Sequence, residues 1–305
     1  MTRSSVLSLL ADHQRWRELR HTVGKDVSDF IVQRETDPDL LTRLEEPFES
    51  VDDVRTRLEW TEEHLLTTDD RRAVFLTVYT EMTAVTIREI RADTFADSEW
   101  MKQYVIRFAE YYRRALLGYE RGDIERVPDP WIVALSTALR SEALVVQDAF
   151  LGINAHINVD LALTLSNIGV TPNRSRKYAD HNRINRILER LVAVQQELLS
   201  ERYAPGLERV GDRLGELDVL GASVGLASAR ETAWRVAVVR SDARWSAMNG
   251  FTSWLLNRSA TGAAYLLLKP DADPSTMRLL RDIEADEFDL ERYAKQYHER
   301  VRSAL

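Results

Sequence analysis

Gly152-Ile-Asn-Ala-His-Ile-Asn-Val-Asp-Leu161 sets Asn154, His156, Asn158 and Asp160 in a run that is otherwise apolar. Polar side chains in such a run need partners, so the stretch marks either chemistry or structural pinning. At about 100° per residue on a helix, Asn154 falls beside Asn158 and His156 beside Asp160, with the two pairs on roughly opposite sides. The first pair suits a structural polar role. The second has reactive parts: Asp160 can orient the imidazole so that its other nitrogen acts as a base, or the two can share a metal ion. A metal site needs further ligands, and Asp180 on the next helix is the nearest carboxylate in sequence, with Asn185 about one and a half turns beyond it.

A helix over about 69–92 carries Tyr79, Thr83 and Thr86 in one line of hydroxyls, which can face a pocket or bond back to their own helix. The site expected from these residues has His156, Asp160 and Asp180 as catalytic groups and as ligands of a divalent metal. Asn185, Tyr79, Thr83, Arg230 and Trp234 contact a small-molecule substrate, and Trp131 with Trp234 walls the pocket. Metal-assisted hydrolysis is the least specific reaction for such a set. A non-enzymatic helical binding or scaffold protein, with the same cluster only holding helices in register, remains open beside it. No glycine-rich phosphate loop, Gly-x-Ser-x-Gly elbow or His-Glu-x-x-His motif occurs.

The elements that must position these residues read as helices. Only 12 Gly and 8 Pro interrupt 305 residues, and Leu, Ala, Arg and Glu are abundant. The expected fold is all-α, a single large multi-helix bundle with a buried central helix near 152–168. An N-terminal helical extension spans 1–49, the core 50–250 and a charged C-terminal clamp 251–305, together one compact unit.

Ser50-Val-Asp-Asp53 opens a helix to about Leu66, and an aromatic helix follows over about 97–120. The apolar periodicity from Trp131 continues to Leu151. The acidic segment from Asp37 to Pro47 reads as irregular, a short helix is expected near 207–217 after Pro205-Gly206, and a longer one over 222–248. His298 reads as a surface residue.

Net charge is −8, and the 41 basic residues are interleaved with 49 acidic ones, which disfavours nucleic acid as a partner. The absence of Cys excludes disulfides, thiolate metal sites and a cysteine nucleophile. The apolar cluster Val6–Ala11 is too short for a signal-peptide core or a membrane span, so a cytoplasmic location is expected.

The chain also resembles DUF5995, a helical family of unknown function, from about Val51 to about Met248. The resemblance rests on the Phe75…Tyr79…Thr83 spacing, Phe95-Ala-Asp97 with Phe108-Ala-Glu-Tyr-Tyr112, and the Gly152–Leu161 motif. Asp180 with Ile184-Asn185, and Ala229-Arg230 with Ala233-Trp234, complete it. It implies polar motif positions at Asn154, His156, Asn158, Asp160, Asp180 and Asn185, an aromatic residue where this chain has His181, and no established activity.

Overall fold

The computed structural model describes residues 13–23, 25–32, 35–207, 225–242, 246–269 and 274–304. The helix expected near 207–217 lies outside them, as does the start of the N-terminal helix. The described residues form helices and no strand.

In chain order these are α1 (His13–Arg20), α2 (Pro38–Leu44), α3 (Val51–Thr67), α4 (Ala73–Arg91), α5 (Ser98–Arg121), α6 (Asp129–Arg140) and α7 (Val145–Ala155). A π-helical turn (His156–Asp160) joins α7 to α8 (Leu161–Ile168). Then come α9 (Arg174–Leu207), α10 (Leu226–Asp242), α11 (Ser246–Leu268), α12 (Pro274–Glu287) and α13 (Leu290–Ala304).

The ends follow from local chemistry. Ser50 accepts the Asp53 amide at 3.1 Å to start α3, and Asp97 accepts the Trp100 amide at 3.0 Å to start α5. Gly122, at φ 75°, closes α5 in the left-handed region open to glycine.

The expectation of an irregular Asp37–Pro47 segment fails, and the apolar run after Trp131 is divided. The Asp37–Pro47 segment holds α2, because Asp37 caps the Asp39 and Leu40 amides at 3.1 and 3.0 Å with Pro38 in the first turn. The apolar run from Trp131 to Leu151 is two helices, because Ser141 turns left-handed at φ 52° and ends α6. The Leu144 amide then donates to the Gln147 side chain at 2.9 Å as α7 begins.

The continuous helix α7–π–α8 is the axis of the fold. All of α7 is buried, as are His156, Ile157, Val159 and Asp160 and most of the α8 residues through Leu165. It is surrounded by α4, α5, α6, α10 and α11, which is why its sequence is apolar on several faces. Helix α13 packs on α3, α4 and α9 through Tyr293, Tyr297 and Val301. No helix among the described residues is long and apolar enough to cross a membrane.

Candidate functional site

Four helices bring the parts together around His156. Gly152 lies one turn before it, where a β-carbon would stand 2.4 Å from the Phe75 ring, so only glycine lets α4 approach this closely. The admitted Phe75 ring then meets the imidazole edge-on, with centroids 5.7 Å apart. Tyr79, one turn further along α4, lies at 4.5 Å, and Phe108 from α5 stacks flat on the imidazole at 3.6 Å. Tyr112 and Trp131 close the cage.

The hydrogen bonds inside this cage are few and directional. Asp160 Oδ2 sits 2.8 Å from His156 Nδ1 and accepts the Trp131 indole N–H at 2.9 Å. With the carboxylate on Nδ1, that nitrogen carries the proton and Nε2 presents a lone pair. His156 Nε2 is buried and has no hydrogen-bond partner. Burial pushes the imidazole below its ordinary pKa, against the pull of Asp160, so the ring is neutral at pH 7. Burial likewise raises the Asp160 carboxyl, which His156 and Trp131 oppose. Tyr79 is held protonated, its phenol raised by burial while a hydrogen bond with Thr83 pulls the other way.

The π turn places this pair. It opens at His156 and closes at Asp160, with Asn158 at its middle, and such turns inside α-helices recur at functional sites. Asn154 and Asn158 face away from the cage: Asn154 donates to the Ala260 carbonyl of α11 at 2.8 Å, and Asn158 donates to Asn154 at 2.9 Å.

The remaining expected residues lie elsewhere. Both Asp180 oxygens accept backbone amides, from Ala96 and Asp97 at 2.8 Å each, so Asp180 serves the start of α5 across the tertiary fold. No group of three His, Asp or Glu among the described residues is placed to hold a metal ion, so the His156, Asp160, Asp180 ligand set is not assembled. Arg230 forms a second buried cluster, donating to Asn185 and, at 2.7 Å, to the His181 carbonyl. Trp234 packs on His181, Tyr178 and Trp100 rather than on His156. Tyr104 connects the clusters, with its ring 6.0 Å from Phe108 and 6.3 Å from His181. Burial and the Arg230 charge hold His181 well below its usual pKa, hence neutral.

Sequence reasoning misses three cage residues, Phe75, Phe108 and Tyr112, which read as ordinary core aromatics. Trp131 is expected as a wall, and its hydrogen bond to Asp160 is the added finding; an indole at the start of an apolar helix is the available signal, since a buried N–H needs an acceptor. His298 is a correction of another kind. It is not a free surface residue but joins α13 to α3 and α4, with Nε2 2.7 Å from Glu62 and Nδ1 2.6 Å from Glu81.

A family model described as a family of unknown function, DUF5995, matches residues 51–270, beyond the Met248 limit read from the motifs, and the chain belongs to that family. No curated protein and no solved structure matches the chain.

Proposed function

We propose, from the geometry of the central helix, that the protein uses His156 as a neutral imidazole base on a small molecule admitted to the aromatic cage. Asp160 orients the ring, Trp131 holds Asp160, and Tyr79 is a protonated phenol able to donate to the same molecule. The unpartnered Nε2 carries this reading. Leaving a buried polar atom bare costs about 1–3 kcal/mol, and a catalytic base is one group for which such a cost is kept; among the bare atoms here His156 Nε2 is the one whose ring a carboxylate orients.

The reaction class that fits is hydrolysis assisted by a base, with water or a substrate hydroxyl giving its proton to Nε2. Metal assistance asks for more donors than the cage has: one free imidazole nitrogen, beside a carboxylate already bonded to His156 and Trp131. Asn185, Arg230 and Trp234 act as substrate contacts only for a molecule long enough to pass Phe108 and Tyr104. His156 is 2% exposed, so entry requires the cage to part, a gating step that can set the rate.

A second reading, a helical binding or scaffold protein with the cluster as a register pin, draws on the Asn154 bond to Ala260 and the Asp180 bonds to the α5 start. One comparison separates the two. Wild type and His156→Gln are assayed on small esters, amides and phosphoesters, with melting followed in parallel. The catalytic reading expects turnover to fall roughly 10²–10⁴-fold with little change in melting, and wild-type activity to rise with pH and level off below 6.5, because the imidazole pKa is lowered. Unchanged turnover in His156→Gln, or an inactive wild type with a variant that melts far lower, leaves the pin.

A further inference from the structure

Beside the α4 contact of α9, Arg183, Arg186 and Arg190 follow one another at i, i+3 and i+7, a spacing that stacks three cations along one helix face. Helix α4 lies against that face and contributes Arg88 and Glu89. Between them is a groove of about 380 Å³, within the range of small-ligand pockets. Val85 and Ile187 give it an apolar floor, both being buried.

The charges do not cancel inside the groove. Glu89 is its one carboxylate, and it is already engaged: Arg183 donates to it at 2.9 and 3.2 Å, and the Thr94 hydroxyl at 2.7 Å. Those bonds hold the Glu89 carboxyl below its usual pKa. Arg88, Arg186 and Arg190 have no carboxylate within ion-pair distance among the described residues. In a chain of net charge −8, most other arginines that line grooves or cores here do find a carboxylate or carbonyl. Like charges one helical turn apart repel, which favours an anion between them.

We propose that this groove binds a phosphorylated small molecule, with Arg88, Arg186 and Arg190 on the phosphate oxygens and the Val85–Ile187 floor against its less polar part. Arginine suits the task because its planar fork meets two phosphate oxygens at once and stays charged at every working pH. The site is separate from the His156 cage and stands or falls without it.

The test is calorimetric titration of the purified full chain with inorganic pyrophosphate at low salt. Wild type, Arg186→Gln/Arg190→Gln, Arg88→Gln and the control Arg292→Gln, which removes an exposed arginine on α13, are compared. The expected result is saturable binding by wild type, weakened at least tenfold in the double variant and severalfold in Arg88→Gln, and unchanged within twofold in the control. Arg186 and Arg190 are exposed, so the double variant should melt as wild type does; if it does not, Arg88→Gln decides. No saturable heat with wild type up to millimolar pyrophosphate overturns the proposal, as does equal affinity in the groove variants. Tighter binding of a single-stranded DNA oligomer, competing with pyrophosphate and lost in the same variants, would replace the small molecule with a nucleic-acid strand.

Discussion

His156 and His298 are the same residue type bonded to carboxylates, and they end in opposite protonation states. His156 has one carboxylate and a cage of five aromatic rings, and desolvation wins: its pKa falls and the ring is neutral. His298 has two carboxylates, Glu62 and Glu81, and its side chain keeps 24% of its exposure. Burial would lower it too, but the hydrogen bonds and charges of the two glutamates outweigh that and hold its pKa up at about 9. A histidine's role in this fold is therefore set by the number of counter-charges against the depth of burial, and not by the presence of an acidic partner. The first histidine retains a free lone pair; the second is a cationic clasp that ties α13 to α3 and α4.

The contrast is open to breaking at several points. The largest effect falls on the buried pair. His156→Leu leaves Asp160 with only the Trp131 donor in an apolar cage and should cost about 3–5 kcal/mol in urea unfolding. His156→Leu/Asp160→Leu should recover most of that loss, since an apolar pair of similar volume leaves no bare charge. If the double variant is as unstable as the single, the pair is a structural necessity and the contrast with His298 loses its meaning.

The next effect is on pH dependence, and the two sites have opposite signs. His298 binds its proton more tightly in the folded chain, so its stabilisation is complete below 6.5, the ordinary histidine value, and is lost as pH rises through about 9. The full amount is roughly 3 kcal/mol. His156 binds its proton less tightly when folded, so it lowers stability as pH falls below 6.5. Urea midpoints of wild type and His298→Leu should diverge at pH 6 and converge by pH 10; parallel curves would show that the clasp carries no charge.

The smallest effect sharpens the counting argument. Glu81→Gln leaves His298 with a single carboxylate, as His156 has, and should move its alkaline loss down by about one pH unit, of the order of 1 kcal/mol at pH 8. The His298 titration by NMR reads this directly. No movement would mean that Glu62 alone sets the state of the clasp.

Much of the core was legible from residue order. Ser50 and Asp97 announce the starts of α3 and α5, and the Asn154/Asn158 and His156/Asp160 pairs follow from four-residue spacing; both pairs are bonded. Asp37-Pro38 was legible as well, as a cap followed by a first-turn proline, though the acidity of the segment masked it. Asp180 was not legible. A carboxylate near a helix start reads equally as a local cap or as a ligand, and here it caps amides more than eighty residues earlier in the chain. Arg230 and Asn185 are expected at the His156 pocket; they bond each other instead, and nothing in their spacing says that Tyr104 and Phe108 stand between them and His156.

What residue order determined by itself is the helical class, the buried central helix and the two polar pairs upon it. Those depend on periodicity, capping and contacts within one or two turns, interactions that neighbours in the chain make alone. What only the tertiary structure decided is which of those polar atoms stay bare and which charges survive. Desolvation and counter-charge come from other parts of the chain: Phe75, Phe108 and Trp131 around His156, Glu62 and Glu81 around His298, and the Ala96 and Asp97 amides before α5 that take Asp180 out of the site.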